Sequence, residues 1–150
     1  MTAAFDVAAA LVNLRKSKPA DFAKLFLDAA AQGKTEAVRA LIDAGADLNT
    51  ADKNGNTALI WAAGNGHTKT AQLLIEKGAS LNVVNRYGTT ALIGAARNGH
   101  TETVRPLIEA GADLNTADKD GNTALIWAAI HGHTETVRAL IEAGASTRGR

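Results

Sequence analysis

Three things are scarce in this sequence of 150 residues: cysteine is absent, proline occurs twice, and the net charge is close to zero. The absence of cysteine excludes disulfide bonds and thiolate chemistry, and it leaves the redox compartment undetermined. Sixteen basic and fifteen acidic residues give a formal net charge of +1, so no chain-wide field attracts nucleic acid or an anionic membrane. We therefore expect neither as a partner.

Long hydrophobic runs are missing as well. No run approaches the about 18 apolar residues that a membrane-spanning helix needs. The amino-terminal stretch MTAAFDVAAALVNL lacks the basic segment and the cleavage pattern of a secretory signal. We expect a cytoplasmic protein by default, with secretion by a non-classical route left open. A chain of this length accommodates one core or one short repeat array.

What the sequence does contain is a repeat. The stretch DLNTADKNGNTALIWAA at residues 47–63 returns as DLNTADKDGNTALIWAA at residues 113–129, which is 66 positions later. Three series of glycines recur every 33 residues, so the longer echo spans two units. Such a period is typical of stacked repeats. The series are Gly33, Gly66, Gly99 and Gly132; Gly45, Gly78, Gly111 and Gly144; and Gly55, Gly88 and Gly121.

Each unit is predicted to be a turn followed by two short helices. The DKNG sequence at residues 52–55 favours a turn, because Asp accepts hydrogen bonds from the following backbone and Gly adopts a positive φ. Thr57 can cap a short alanine-rich helix, and Thr68 begins a second helix whose apolar residues follow an i, i+3, i+4 pattern. A unit this short cannot bury its own apolar face, so it must stack on its neighbours.

These residues resemble the ankyrin repeat family. The pattern D-x-x-G-x-T-P-L-H-x-A-A-x-x-G-H, with a later L-L-x-x-G-A-D-x-N, is similar to residues 52–82, 85–115 and 118–145, and residues 20–49 keep its second half. The chain departs from the family where TALI replaces T-P-L-H in three units. These helices lose a proline suited to their first position, and we expect the contacts between units to be more apolar.

The resemblance implies an all-α solenoid of stacked helix-turn-helix units with short β-turn or hairpin loops. We expect residues 1–18 to form an amino-terminal capping helix or degenerate half-repeat. Residues 19–150 would form the array, in units of about 20–51, 52–84, 85–117 and 118–150.

The histidines look like a metal array only until the period is considered. His67, His100 and His133 stand one per unit, about 10 Å apart, which is too far to share a zinc ion with bonds near 2 Å. We interpret them as side chains that bond the backbone of a turn. His131 and His133 form a pair without a third ligand, and TADKDGN lacks the ligands of a calcium loop.

Catalytic signatures are absent too. Neither a nucleophile elbow nor a G-x-x-x-x-G-K-[ST] phosphate loop occurs. We expect a non-enzymatic protein with no catalytic residue, metal or cofactor.

A protein partner is expected to contact the positions that differ between otherwise repeated units. The resemblance implies the same places, since turn tips and inner helices form the concave binding face of the family. In the turns these residues are Lys53, Asn54, Asn56, Arg86, Tyr87, Thr89, Lys119, Asp120 and Asn122. In and after the first helices they are Trp61, Asn65, Arg97, Asn98, Trp127, Ile130 and His131.

Trp61, Gly94 and Trp127 occupy equivalent positions in successive units. A glycine between two tryptophans predicts a notch, and Arg97 follows Gly94 by three residues on the same helix face. Two interpretations are open: the notch accepts a partner's side chain, or both indoles pack between units.

The two ends of the array are expected to differ. Residues 3–14 are predicted to form an extra helix, with Phe5, Ala8 and Val12 in one apolar stripe, that covers the first unit. The carboxyl-terminal ETVRALIEAGAS keeps the interior pattern without polar replacement. That face is then partly exposed, covered by another chain or part of a longer array. Self-association through it is the alternative function.

Pro106 stands inside the second helix of its unit, where the equivalent residues are Ala40, Leu73 and Ala139. An interior proline removes one helical hydrogen bond and costs about 3 kcal/mol. We expect a kink there.

Overall fold

The computed structural model describes residues 6–146. It contains nine helices in this part of the chain and, apart from one isolated antiparallel bridge between Ala51 and Thr57, no strand. The predicted all-α fold is confirmed. The helices are α1 (Val7–Ser17), α2 (Pro19–Ala31), α3 (Thr35–Asp43), α4 (Ala58–Gly64), α5 (Thr68–Glu76), α6 (Ala91–Arg97), α7 (Thr101–Glu109), α8 (Ala124–Ile130) and α9 (Thr134–Glu142).

The helices after α1 form two rows. Helices α2, α4, α6 and α8 contact one another in succession and form the first row, while α3, α5, α7 and α9 form the second row. Segments one period apart therefore lie in adjacent layers, and the predicted solenoid is confirmed.

Threonine caps set the start of the short first-row helices. Oγ1 of Thr57 accepts from the backbone N of Ile60 at 3.2 Å, and Oγ1 of Thr90 accepts from Ile93 at 3.1 Å. This bond satisfies an amide that has no partner within the helix. The cap thus compensates for the proline that these helices lack.

One continuous core runs through the stack. Its largest repeated side chains are leucines in the second row, at Leu41, Leu74, Leu107 and Leu140, which are almost fully buried. Burial of each such side chain contributes about 1.5–3 kcal/mol. Since each leucine packs against neighbouring layers, stability comes from stacking, as the short units require.

Polar seams accompany the apolar core between units. The hydroxyls of Thr35 and Thr70 lie 2.7 Å apart, and the pairs Thr68–Thr103 and Thr101–Thr136 repeat this contact at 2.7 and 2.6 Å. These bonds join successive second-row helices. Because both partners are largely buried, the bonds also fix the register of the stack.

The repeated histidines lie on the seams as well. Nε2 of His67 lies 3.0 Å from the carbonyl oxygen of Ala31, and Nε2 of His133 lies 2.9 Å from that of Arg97. The predicted backbone bond is confirmed for these two, with the carbonyl belonging to the preceding unit. His100 packs on Gly66, where a Cβ atom would lie 2.6 Å from its Nδ1 and where φ is +74°.

Helix α1 covers the amino end by packing on α2 and α3. Its core contacts come from Leu11, Val12 and Leu14, and Arg15 donates through Nε to the carbonyl of Ala44 at 2.8 Å. The predicted stripe was wrong at Ala8, which is exposed. The reason is that Asp6 caps the helix by accepting from Ala9 N, which fixes where the helix begins. Phe5 lies outside the described residues.

Helix α7 runs through Pro106 from Thr101 to Glu109. The proline has no N–H to donate to the preceding turn. The predicted kink and its energetic cost stay predictions.

Candidate binding surface

The turns of three units have one construction. Oδ1 of Asp52 accepts from the backbone N of Asn54 and of Asn56, both at 3.0 Å. Asp118 makes the same two bonds in its turn, and Asn85 makes them through its amide oxygen. One side-chain oxygen therefore holds each turn in shape.

Successive turn tips are hydrogen-bonded to one another. The backbone N of Arg86 donates to the carbonyl of Asn54 at 2.9 Å, and that of Lys119 donates to Tyr87 at 3.0 Å. A Cβ atom at Gly55 would lie 3.0 Å from Cα of Asn85, so the tips approach as closely as glycine allows. Together with α4, α6 and α8, the turns at residues 52–56, 85–89 and 118–122 form what we call the turn–helix surface.

The second oxygen of each turn aspartate binds an indole. Nε1 of Trp61 donates to Oδ2 of Asp52 at 3.0 Å, and Nε1 of Trp127 donates to Oδ2 of Asp118 at 2.7 Å. Both indoles are half-buried and pack against the core. Each indole N–H is satisfied within its own unit, so its ring is oriented without help from a neighbouring layer.

The unit between them has neither the indole nor the carboxylate. Gly94 replaces the tryptophan, and a Cβ atom there would meet nothing closer than Cα of Gly64 at 3.5 Å. Asn85 replaces the aspartate and donates through Nδ2 to Oδ1 of Asn56 at 2.8 Å. The missing side chain leaves space at the position between the two tryptophans.

This space is a cleft of about 460 Å³, which we call the tryptophan cleft. Trp61 and Trp127 line it from the two outer units. The guanidinium of Arg97 lies over the ring of Trp127, 5.6 Å from its centroid. The ring of His131 stacks on the same indole, with centroids 5.6 Å apart. Its lining is Asn56, Ile60, Trp61, Gly64, Asn65, Asn85, Tyr87, Thr89, Gly94, Arg97, Asn98, Asp118, Asp120 and Trp127.

The predicted contact residues fall into two groups. Those that line the cleft are Asn56, Trp61, Asn65, Tyr87, Thr89, Arg97, Asn98, Asp120 and Trp127. Those that do not line it are Lys53, Asn54, Arg86, Lys119, Asn122, Ile130 and His131.

Some of these residues also have bonds within the fold. The amide of Asn65 donates to the carbonyl of Ala31 at 3.0 Å, and that of Asn98 donates to Gly64 at 2.9 Å. Thr89 is buried. These three side chains help to shape the surface, whereas Tyr87 and Ile130 are exposed.

Sequence reasoning missed the bond between the turn aspartate and the indole. A signal for it exists in the chain, because aspartate and tryptophan occur nine residues apart in two units and are replaced together in the third. It also missed a second cleft of about 540 Å³ on the amino-terminal side of Trp61, which Leu27 and Lys53 line. The first unit has Asp28 at the tryptophan position.

Charges around the surface are mostly unpaired. Within residues 6–146 the salt bridges are Lys24–Asp28 at 2.8 Å and Glu36–Arg39 at 3.6 Å. The hydrogen bond to Asp28 and its charge raise the pKa of Lys24. The same residues contain no group of three or more His, Cys, Asp or Glu side chains that could hold a metal ion. None of their helices has the length and apolar character needed to cross a membrane.

Comparison with known proteins agrees with the repeat architecture. The family described as Ankyrin repeats (3 copies) matches residues 25–118 and 78–149. No match is found among curated proteins. Repeats of this family are generally protein-interaction modules. Since the match extends over most of the sequence and the helix pairs stack at the same period, the chain belongs to the ankyrin repeat family.

Proposed function

We propose that the chain is a non-enzymatic protein-binding module that uses the turn–helix surface and receives a bulky side chain of its partner in the tryptophan cleft. The observation that carries the proposal is the cleft of about 460 Å³ between Trp61 and Trp127. Its volume falls within the range of about 300–1,000 Å³ typical of binding pockets. A single aromatic or long aliphatic side chain fits within it.

The walls of the cleft are preorganised. The hydrogen bonds from Asp52 and Asp118 fix both indoles before a partner arrives. Ordering a free side chain on binding costs about 0.5–1.5 kcal/mol, so a wall that is already ordered favours affinity. The bonds between turn tips have the same effect on the backbone of the surface.

The composition of the cleft is typical of interface anchors. Tryptophan, tyrosine and arginine are enriched among residues that dominate binding energy. Trp61, Tyr87, Arg97 and Trp127 all line this cleft. A partner side chain next to Trp127 would also meet the flat guanidinium of Arg97, which already lies over that ring.

A filled cleft tests the proposal. Peptides selected for binding to the wild-type chain are measured against Gly94→Trp, with Gly94→Ala as the matched control, because a Cβ at this position has only ordinary contacts. We expect Gly94→Trp to weaken binding about tenfold or more, since loss of a buried anchor costs about 2 kcal/mol, while Gly94→Ala binds normally. Equal binding to wild type and Gly94→Trp would refute the cleft as the binding site.

A second candidate function is self-association, and exposure at the carboxyl end favours it. Ile130 and Ile141 are 59% and 57% exposed. In contrast, Ile60 and Ile93, on the faces that receive a following unit, are 7% and 1% exposed. The exposed face retains the apolar character of an interior seam, so a second copy of the chain would bury it.

Light scattering over a dilution series tests this candidate. We expect a mass that rises with concentration for the wild type and a constant monomer mass for Ile130→Glu combined with Ile141→Lys. A wild-type mass that stays monomeric at every concentration would exclude self-association and leave the binding module unaffected.

A further inference from the structure

Three exposed cations stand at equivalent positions of the turn tips. Lys53, Arg86 and Lys119 are 33 residues apart, and each directly follows the residue whose side chain holds its turn. All three side chains are exposed. We call this row the basic ladder.

The backbone fixes the spacing of the ladder. The amide of Arg86 is bonded to the preceding turn through Asn54, and the amide of Lys119 is bonded through Tyr87. The Cα atoms of the three cations therefore repeat with the spacing of the helix layers, which is about 10 Å.

The fold does not neutralise these charges. Neither salt bridge within residues 6–146 involves a ladder residue. The nearby Asp52 and Asp118 direct both carboxylate oxygens to turn amides and to an indole. Arg86 has only the amide oxygen of Asn54, at 3.0 Å, and the ring of Tyr87 as neighbours. Asp120, next to Lys119, is the remaining acid of the tips.

A spacing of about 10 Å matches two turns of an α-helix, or seven residues at 1.5 Å each. Acidic side chains at i, i+7 and i+14 lie on one face of such a helix, and the drift of about 20° per heptad is within reach of long lysine and arginine side chains. In an extended segment the same distance corresponds to about three residues, which places successive charges on opposite faces. A helix therefore fits the ladder better than a strand.

Nucleic acid fits it less well. Duplex DNA carries one charge per about 1.7 Å along its axis, far denser than cations about 10 Å apart. The net charge of the whole chain is only +1, so no wider field supports the ladder. The observations favour a protein partner.

We propose that the basic ladder docks an acidic α-helix of the partner, with Asp or Glu at seven-residue intervals facing Lys53, Arg86 and Lys119. The inference rests on the proposed binding function and adds its partner class. Tyr87 and Asp120, which follow two ladder residues, line the tryptophan cleft. A bulky apolar residue three or four positions from the central acid of the helix would then enter the cleft.

Designed helical peptides of three heptads test this inference. One carries glutamates at i, i+7 and i+14 with a phenylalanine three residues after the central glutamate. A second has the same composition with the glutamates moved to other helix faces. We expect the matched peptide to bind about tenfold more tightly at low salt, since three exposed ion pairs each contribute a fraction of a kcal/mol, and to lose this advantage at high salt.

Charge reversal on the protein gives the reciprocal test. The triple variant Lys53→Glu, Arg86→Glu, Lys119→Glu should lose the matched peptide and gain a peptide with lysines at the same three positions. The control variant Lys69→Glu, Lys77→Glu, Arg105→Glu changes the net charge equally at exposed residues of the second row and its end. It should keep the original preference. Circular dichroism checks the fold of each variant, and Lys53→Gln provides a milder change.

The outcomes separate the ladder from the cleft. Equal binding of both glutamate peptides, or equal effects of the two triple variants, would overturn the ladder. A single-stranded oligonucleotide that binds more tightly than the matched peptide, with the same dependence on the ladder residues, would overturn it too. If the matched peptide binds equally with and without phenylalanine, the ladder stands and the proposed cleft fails.

Discussion

The unit of residues 85–117 and the two units beside it share a core but present different surfaces. Leu59, Leu92 and Leu125 are buried at equivalent positions in all three. On the turn–helix surface, the outer units pair an aspartate with a tryptophan, whereas the middle unit has Asn85 and Gly94. The layers therefore keep their packing while one of them leaves out a wall of the surface.

The difference also separates two roles of the turn residue. A single side-chain oxygen is enough to hold the turn, since Asn85 does so with its amide oxygen. The second oxygen of the aspartate is needed only where an indole N–H must be accepted. Where the indole is absent, the amide nitrogen binds Asn56 of the preceding unit instead.

The strongest test of the shared core compares Leu59→Ala with Leu92→Ala. Both side chains are 1% exposed, so each truncation should cost about 2–5 kcal/mol of unfolding free energy. Chemical denaturation measures both. Costs that differ by most of this range would show that the middle unit packs differently from its neighbour.

The proline of the middle unit is the next largest effect. Pro106→Ala should raise the unfolding free energy by about 1–3 kcal/mol, because the new amide restores a helical hydrogen bond. Thermal melting of this variant, with Ala139→Pro as the reciprocal change in the last unit, measures it. A lower melting temperature for Pro106→Ala would contradict the cost assigned to the proline.

A double-mutant cycle tests the pairing of aspartate and tryptophan. Asp52→Asn should cost about 1–2 kcal/mol, because an amide group then faces the indole N–H without a free carboxylate oxygen. Combined with Trp61→Gly it recreates the Asn–Gly combination of the middle unit, and the two changes should couple by about 1 kcal/mol in denaturation experiments. Simple additivity would mean that the bond contributes nothing.

The smallest expected effect is at Gly94. Gly94→Ala should stabilise the chain by about 0.5–1 kcal/mol, since it lies within α6 and a Cβ there meets only ordinary contacts. Gly66→Ala is the contrasting variant, because its φ is +74° and its Cβ would collide with His100. It should destabilise the chain. The same sign for both in thermal melts would be inconsistent with this geometry.

Sequence reasoning recovers the features that depend on local spacing. The period of 33 residues, the caps at Thr57, Thr90 and Thr123, and the stacking of adjacent units all follow from patterns within one or two turns. The tryptophan notch was predicted from one period-related set of positions, and a cleft lies there. Its use by a partner stays a prediction.

The missed features depend on geometry that spacing does not supply. The Asp52–Trp61 bond joins a turn to a helix, and its length depends on how the turn directs its second oxygen. The apolar stripe of α1 was wrong because an alanine-rich segment permits several stripes, and the Asp6 cap selects one of them. The second cleft lies beside the first unit, where the repeat pattern is incomplete.

The threonine seams make the joints of the array interchangeable. Because the same hydroxyl pair closes each of the three interfaces between second-row helices, a whole unit can be exchanged or removed without redesign of the joint. Removal of residues 85–117 would bring the layers of Trp61 and Trp127 together and close the gap between them. Recombination in register can thus alter what the protein recognises while its architecture stays the same.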